Sequence, residues 1–171
     1  ALPAQKAIFE DDIFNQTAFA VDFADQDELR YCWDLLASID SDGNGIMTDD
    51  CDFEGQNLRH SWSTPGLKIV TANVWDDDNA TDSFSINVTI VNRPPAANIF
   101  TPIDGFKITE GESITFSGVN SSDSPTDRTT LRFIWDDPNT AGATQDGSGE
   151  TFTIKFDTPG KYFVNLTVTD D

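Results

Sequence analysis

The stretch Tyr31-Cys32-Trp33-Asp34 recurs later in the chain as Phe133-Ile134-Trp135-Asp136, and the same two motifs follow each copy. The first copy continues with Thr64-Pro65-Gly66 and Val74-Trp75-Asp76-Asp77, and the second with Thr158-Pro159-Gly160 and Val168-Thr169-Asp170-Asp171. Pro and the first Asp of the final pair are 11 residues apart in both copies (65 to 76 and 159 to 170). An internal repeat of roughly 90 residues predicts two domains, which we place at residues 1–93 and 94–171.

The residues between these motifs predict β-structure. No segment keeps a helical period for three turns, whereas short alternating segments rich in β-branched residues recur between turns of Gly, Pro, Asp and Ser. The predicted strands are 5–9, 17–23, 28–36, 57–63, 66–75 and 82–92 in the first copy, and 96–100, 105–109, 112–118, 130–136, 150–156 and 160–169 in the second. This spacing predicts an all-β chain of two immunoglobulin-like β-sandwiches in tandem. The link Asn92-Arg93-Pro94-Pro95 is expected to be stiff, because its two prolines cannot pair in a sheet.

The two copies end differently. In the first, 15 residues follow Asp77 through Asn92 and include a predicted strand, whereas nothing follows Asp171. We therefore expect the second sandwich to lack its last strand and to expose an unpaired edge beside an apolar groove. Either the natural chain continues beyond this piece, or a neighbouring subunit donates a strand.

The charge of the chain excludes some classes of partner. Thirty acidic residues against ten basic ones give a formal net charge of −20, which disfavours nucleic acid and anionic lipid. The carboxylates gather in short clusters at predicted strand ends, which favours cation binding; solubility or adaptation to salt is the alternative. No apolar run is long enough to insert into a membrane.

One insertion has the pattern of a calcium-binding turn. The first copy has eight extra residues between Trp and Pro, since that distance is 32 residues in the first copy (33 to 65) and 24 in the second (135 to 159). Within it, carboxylate or amide oxygens alternate before a Gly, as a hard cation requires. Position 12 of the pattern is Cys51, so Asp50 must complete the shell, with Asp49 or Asp52 as substitutes; the alternative is an acidic turn held only by the disulfide. The predicted Ca²⁺ ligands are Asp40, Asp42, Asn44, the Ile46 carbonyl, Asp49 and Asp50.

A second, weaker cation site is predicted at one pole of the first sandwich. There, carboxylates near the start of one strand could meet those at the end of another. The residues of this possible site are Asp25, Asp27, Asp34, Asp76 and Asp78.

The cysteines and sequons indicate an extracellular protein. Cys32 and Cys51, the two cysteines of the chain, flank the acidic insertion, which predicts a disulfide; two buried free thiols are the alternative. Five Asn-x-Ser/Thr sequons are predicted glycosylation sites, and they lie at Asn15, Asn79, Asn87, Asn120 and Asn165.

The aromatic residues and the single histidine argue against an enzyme. Trp33 and Trp135 take the inward phase of a strand and predict core packing. Trp62 predicts core or edge packing, whereas Trp75 precedes three aspartates and is expected to be partly exposed. His60 has no nucleophile arrangement around it, and no phosphate-binding loop or zinc-type cluster occurs. We predict no catalytic activity.

These motifs resemble those of the PKD (polycystic kidney disease) domain. The resemblance in the first copy lies in the Tyr31 to Asp34 motif, the insertion and the segments His60 to Gly66 and Val74 to Asp78. In the second copy it lies in Ser122-Asp123-Ser124-Pro125, Trp135-Asp136, Thr158-Pro159-Gly160 and Val168-Thr169-Asp170-Asp171. The resemblance implies immunoglobulin-like modules that occur in tandem on archaeal and bacterial surface-layer proteins, adhesins and secreted hydrolases, often with structural calcium.

The sequence therefore predicts a calcium-stabilised, glycosylated, non-enzymatic module of an extracellular surface layer, adhesin stalk or filament. Its partners would be neighbouring copies or modules of the same assembly. The alternative is an accessory module of a secreted hydrolase that binds carbohydrate or protein, for which an exposed Trp75 is the main support.

Overall fold

The computed structural model of the protein describes residues 5–22, 28–35, 39–40, 43, 45–47, 50–137 and 145–170. The chain divides into two compact units, Ala1–Asn92 and Arg93–Asp171, so their boundary lies one residue before the predicted position. Within the described ranges the regular structure consists of strands and one short 3-10 helix, Asp127–Thr129. The all-β prediction is confirmed. No helix in the described part of the chain is long and apolar enough to cross a membrane.

Among its described residues the first unit contains seven strands in two sheets. They are β1 (Gln5–Phe9), β2 (Phe14–Thr17), β3 (Arg30–Asp34), β4 (Phe53–Glu54), β5 (Asn57–His60), β6 (Gly66–Trp75) and β7 (Thr81–Val91). One sheet has the order β1-β7-β6-β3-β4, and the other pairs β2 with β5. β7 lies between a parallel neighbour, β1, and an antiparallel neighbour, β6.

The core of the first unit lies between these two sheets. Inward residues alternate along each strand, as the pleat of a strand requires. On β7 the inward residues are Ile86, Val88 and Ile90, which are at most 2% exposed. They join a cluster to which the other sheet contributes Phe14 and Leu58. Burial of each such side chain stabilises the fold by about 1.5–3 kcal/mol.

The second unit contains five strands among its described residues. They are β8 (Ser113–Ser117), β9 (Arg132–Asp136), β10 (Gly147–Ser148), β11 (Thr151–Lys155) and β12 (Asn165–Thr169). One sheet has the order β10-β9-β12, and the other pairs β11 with β8. The Trp135 ring connects the sheets, since its centroid lies 6.1 Å from that of Phe116 on β8 and 5.9 Å from that of Phe152 on β11.

The repeated Trp is in the same place in both units. On β3, Trp33 pairs with Ala72, and its indole N–H donates to the Gly55 carbonyl at 3.0 Å. On β9, Trp135 pairs with Leu166, and its indole N–H donates to the Gly149 carbonyl at 2.8 Å. The sheet β10-β9-β12 therefore corresponds strand for strand to β4-β3-β6, and the pair β11-β8 corresponds to β5-β2.

Several strand predictions were wrong at their boundaries. The strand predicted at 17–23 is β2, which ends at Thr17, and the predicted strands 96–100 and 105–109 are not strands. Of the predicted strand 160–169, only Asn165–Thr169 is a strand. Alternation marks residues that can pair, but a strand forms only where another strand lies beside it.

Candidate functional site

The candidate site is the acidic insertion of the first unit, which a disulfide closes at its base. Cys32 and Cys51 are bonded, with their Cα atoms 5.4 Å apart across 19 positions of sequence. Neither cysteine is a free thiol. The predicted disulfide is therefore confirmed, and its bond fixes the end of the insertion onto β3.

The disulfide lies on the face of the sheet that points away from the core. Trp33 points into the core, so its neighbours Cys32 and Asp34 lie on the opposite face. They are nevertheless 2% and 0% exposed, and their partners on β6, Asn73 and Thr71, are buried as well. This face of the sheet is therefore covered at the disulfide.

Two acidic side chains are buried close to the disulfide in sequence. Asp34 follows Cys32 by two positions, and Asp50, which is 1% exposed, directly precedes Cys51. Aspartate is rarely buried to this extent unless a hydrogen bond, an ion pair or a metal compensates its charge. The base of the insertion thus contains two of the three acidic side chains that are buried among the described residues of the first unit, the third being Glu10.

The carboxylate of Asp40 organises the turn of the predicted calcium pattern. Its Oδ1 accepts the Gly43 N–H at 2.7 Å, and its Oδ2 accepts the Gly45 N–H at 2.8 Å. Both glycines have positive φ, 77° and 90°, which residues with a side chain rarely adopt. Ile46 follows with its side chain exposed. The spacing of the two glycines thus wraps the backbone around the first predicted ligand.

Half of the predicted ligand set cannot be placed. Asp42, Asn44 and Asp49 lie outside the described residues, whereas Asp40, Ile46 and Asp50 lie within them. Within the described ranges alone, no three Asp, Glu, His or Cys side chains form a group that could hold a metal ion. The calcium site therefore stays a prediction.

The structure separates members of the second predicted site. Asp34 pairs with Thr71, whereas Trp75, the residue before Asp76, pairs with Arg30 at the other end of β3. Four residues of strand span about 13 Å. Asp76 instead closes the β6–β7 hairpin, because its Oδ1 accepts the Ala80 N–H at 2.7 Å. Asp78 is exposed in the same turn, and Asp25 and Asp27 lie outside the described residues.

Asp52 and Asp146 have matching structural roles that the sequence did not predict. Asp52 Oδ2 accepts the Leu35 N–H at 2.8 Å, and Asp146 Oδ2 accepts the Asp137 N–H at 2.7 Å. Each carboxylate accepts a hydrogen bond from the backbone N–H of the residue that follows the repeated Trp-Asp pair. A sequence signal exists, since both precede by three positions the Gly that accepts the indole N–H.

Trp62 and His60 have roles in the fold of the first unit. Trp62 is 7% exposed, and its ring packs against Phe14 with centroids 5.6 Å apart. His60 meets the Trp62 ring edge to face at 4.7 Å, and burial lowers the pKa of its imidazole although Asp52 opposes this shift. Trp75 is half-buried at the end of β6.

The five sequons differ slightly in accessibility. Asn87 is half-buried on the outward face of β7, whereas the other four asparagines are exposed. All five positions can therefore be reached from solvent. Glycosylation stays a prediction.

Comparison with known proteins finds a family model that is similar to the second unit. The family model of the PKD domain matches residues 92–171. The chain is also similar to a solved structure of fibronectin(III)-like modules of CbhA from Clostridium thermocellum, at 12% identity and a TM-score of 0.38, over 100% of this chain and 84% of that chain. A comparison with curated proteins finds no match. Residues 92–171, a little under half of the chain, are therefore similar to the PKD domain.

Proposed function

We propose that this chain is a non-enzymatic structural segment of an extracellular assembly, such as a surface layer, an adhesin stalk or a filament. The observation that carries the proposal is the frame that both units share, in which Trp33 and Trp135 hold the same register and the same hydrogen bond. A repeated, closely packed frame suits a spacer, because each module adds length without adding chemistry.

An extracellular location rests on two observations. The Cys32–Cys51 disulfide is of a kind that forms and persists in oxidising compartments. The PKD match at residues 92–171 is to a kind of module typical of extracellular proteins. Glycans at the five sequons, all accessible, fit the same location.

The register also supports a common origin for the two units. We infer that the first unit is a PKD-type module whose sequence has diverged through its insertion. Its strands β3, β4 and β6 match β9, β10 and β12 pair by pair, although the family model covers only the second unit.

In this proposal calcium and the disulfide together stiffen the insertion. Asp40 already orders the turn through Gly43 and Gly45, and the remaining oxygens of the pattern would complete the shell of a hard cation. Calcium bound there would neutralise part of the negative charge of the insertion. Neighbouring copies or modules of the same assembly are the expected partners.

The calcium component is tested by thermal unfolding of the full chain in about 1 mM Ca²⁺ and in excess chelator. This Ca²⁺ concentration is on the order of that outside cells. We expect Ca²⁺ to raise the Tm of the first unit and Asp42→Asn to abolish this shift. Asp78→Asn, an exposed turn residue, is the control and should leave the shift unchanged. Equal melting with and without Ca²⁺ would contradict the calcium component.

An accessory binding module is the second candidate function. The half-buried Trp75 at the end of β6 favours it, because part of its ring is available to stack on a sugar. Retention of the wild type on an insoluble polysaccharide, with loss in Trp75→Ala and not in Phe84→Ala, would support this function. Absence of retention on glycans and fibrous proteins would favour the structural function.

A further inference from the structure

The outward face of the larger sheet in the first unit has a covered part and an uncovered part. Near the disulfide the outward side chains are at most 7% exposed, namely those of Cys32, Asp34, Thr71 and Asn73. Towards the start of β6, large apolar side chains on the same face are 41–60% exposed. This apolar strip consists of Phe9, Leu67, Ile69 and Val91. A soluble domain seldom exposes contiguous apolar surface that has no use.

A glycosylation sequon, Asn87-Val88-Thr89, runs along β7 through the apolar strip. Asn87 pairs with Ile69 and Thr89 pairs with Leu67 in the antiparallel ladder of β6 and β7. Val88 points into the core, so its neighbours Asn87 and Thr89 point outwards, as the strip does. Side chains directly opposite each other in such a ladder have Cβ atoms about 4.5–5.5 Å apart. A sugar bonded to Asn87 would therefore begin beside Ile69.

The other half of the strip lies at the far end of the sequon. Val91 follows Thr89 by two positions on the same face of β7, and it pairs with Phe9 of β1. Apolar side chains thus lie on the β6 side of the sequon and again between β7 and β1. A group attached at Asn87 could extend over both parts.

The second unit repeats the arrangement at an equivalent position. The registers of the two repeated Trp residues align Phe163 with Ile69. Phe163 is 66% exposed, and the sequon Asn165-Leu166-Thr167 begins two positions after it. Exposure alternates here, so that Phe163, Asn165 and Thr167 are exposed while Leu166 is half-buried. Each unit therefore has a sequon Asn close to an exposed apolar side chain at the same place.

An attached sugar suits the strip better than a second copy of the chain does. The ring of a sugar has C–H groups on its faces and hydroxyl groups on its rim, so it can cover apolar surface and stay hydrated. A neutral sugar adds no charge. Two copies of the chain, each with a formal net charge of −20, would instead repel one another as they approached.

We propose that Asn87 carries an N-linked glycan whose first sugar residues lie on Leu67 and Ile69 and shield the apolar strip from water. In its formation the Asn87 Nδ2 bonds to the anomeric carbon of a phosphate-activated oligosaccharide donor. The bond between that carbon and the phosphate oxygen breaks, the phosphate leaves with the electron pair, and the amide nitrogen gives up one proton. The inference rests on the extracellular location in the proposed function, and it adds that this face does not contact neighbouring copies.

Glycopeptide mass spectrometry of the protein from its native source tests the modification itself. We expect the peptide that contains Asn87 to be glycosylated. An unmodified Asn87 in a chain that carries glycans at other sequons would overturn the inference and leave the proposed function standing. Absence of glycans from all five sequons would overturn the inference and also remove glycosylation from the support for an extracellular location.

Nuclear Overhauser contacts test where the glycan lies. In the glycosylated protein we expect contacts between sugar ring protons and the methyl groups of Leu67 and Ile69, because both side chains are exposed beside the sequon. A glycan that is present on Asn87 but makes no such contacts would overturn the shielding role.

Two substitutions at Thr89 separate the effect of the glycan from that of the strand. Thr89→Ala destroys the sequon, whereas Thr89→Ser keeps it, and the position is exposed on β7. The Tm of the first unit should differ between these variants by about 4 °C more in glycosylated protein than in protein from a host without N-glycosylation. The difference in strand propensity between Ala and Ser is the same in both preparations and cancels. An equal Tm difference in the two preparations would overturn the proposal.

The binding of a hydrophobic dye measures the exposure of the strip. Asn87→Gln should raise dye binding at least about threefold, because it removes the glycan that covers Leu67 and Ile69. Asn120→Gln is the matched control, since it removes a sequon from an exposed turn of the second unit and should leave dye binding unchanged. Equal dye binding by the two variants would contradict shielding by the Asn87 glycan.

A second copy as the true occupant of the strip would appear in the glycosylated wild type. If it dimerises as concentration rises and the amides of residues 66–70 become protected from hydrogen exchange at the same time, the strip is an interface between copies and the proposal is overturned. We expect the glycosylated chain to show no such protection.

Discussion

The two units share a frame but differ in how much apolar surface they bury. Among the described residues, eleven hydrophobic side chains are buried in the first unit and four in the second. The first set is Phe14, Cys32, Trp33, Leu35, Leu58, Trp62, Val70, Ala72, Ile86, Val88 and Ile90; the second is Trp135, Ile154, Phe156 and Val168. The hydrogen-bond register around the buried Trp is therefore kept even where fewer apolar side chains are buried beside it.

The largest expected effect comes from removing the shared Trp. Trp33→Ala and Trp135→Ala should each cost about 3–5 kcal/mol, because both indoles are fully buried. The second unit has few other buried residues, so we expect Trp135→Ala to unfold it at 25 °C, whereas Trp33→Ala should leave the first unit folded with a lower Tm. Hydrogen exchange resolved by unit measures both. An equal loss of stability in the two units would contradict the argument from the difference in buried apolar surface.

Opening the disulfide should affect the first unit alone. Cys32→Ala with Cys51→Ala releases a loop of 19 positions, which should cost about 3 kcal/mol through the entropy of the unfolded chain. Chemical denaturation followed by tryptophan fluorescence reports mainly on the first unit, which contains Trp33, Trp62 and Trp75. The exchange of second-unit amides is the internal control and should not change.

Gly147 and Phe53 occupy equivalent positions with opposite constraints. A Cβ at Gly147 would lie 2.4 Å from the nearest ring carbon of Phe152, so Gly147→Ala should destabilise the second unit by about 1–3 kcal/mol. Phe53 is 39% exposed, so Phe53→Ala in the first unit should cost less. Denaturation midpoints of the two variants check the order, and a reversed order would contradict the packing described around Trp135.

The smallest expected effect is a pH dependence specific to the first unit. Burial lowers the pKa of His60, so the unfolded chain binds more protons than the folded one just below pH 6.5. The free energy of unfolding should therefore fall as the pH drops from about 6.5 towards the lowered pKa, and His60→Gln should flatten this slope. Denaturation between about pH 5.5 and 7.5 avoids most carboxylate titration. An identical slope in the variant would exclude His60 as its source.

Much of the fold could be predicted from the sequence, because it rests on local patterns. The repeated Trp-Asp and Thr-Pro-Gly motifs indicated two domains, and alternation located β6, β9 and β11 to within about two residues at each end. The start of β12 was missed, because 160–164 are not a strand. The disulfide followed from two cysteines flanking one insertion. The roles of Asp52 and Asp146 escaped notice because a backbone hydrogen bond across a strand end depends on the closing of the fold.

The candidate site was less predictable than the frame. The Asp40 turn follows from residue spacing, and its hydrogen bonds to Gly43 and Gly45 agree with the pattern. Whether Asp34 lies near Asp76 depends on which strand ends are neighbours. The pairing of β3 with β6 places these two residues at opposite ends of β3. Alternation along a strand contains no information about that direction.

Spacing and alternation along short stretches are enough to predict the repeat, the all-β class, the disulfide and the inward Trp residues. Which alternating segments become strands depends instead on the tertiary structure. Residues 66–70 are a strand because β7 lies beside them, whereas the equivalent 160–164 are not, having no such neighbour among the described residues. A strand is stabilised by its partner's hydrogen bonds and side chains, and the partner is chosen by the fold as a whole.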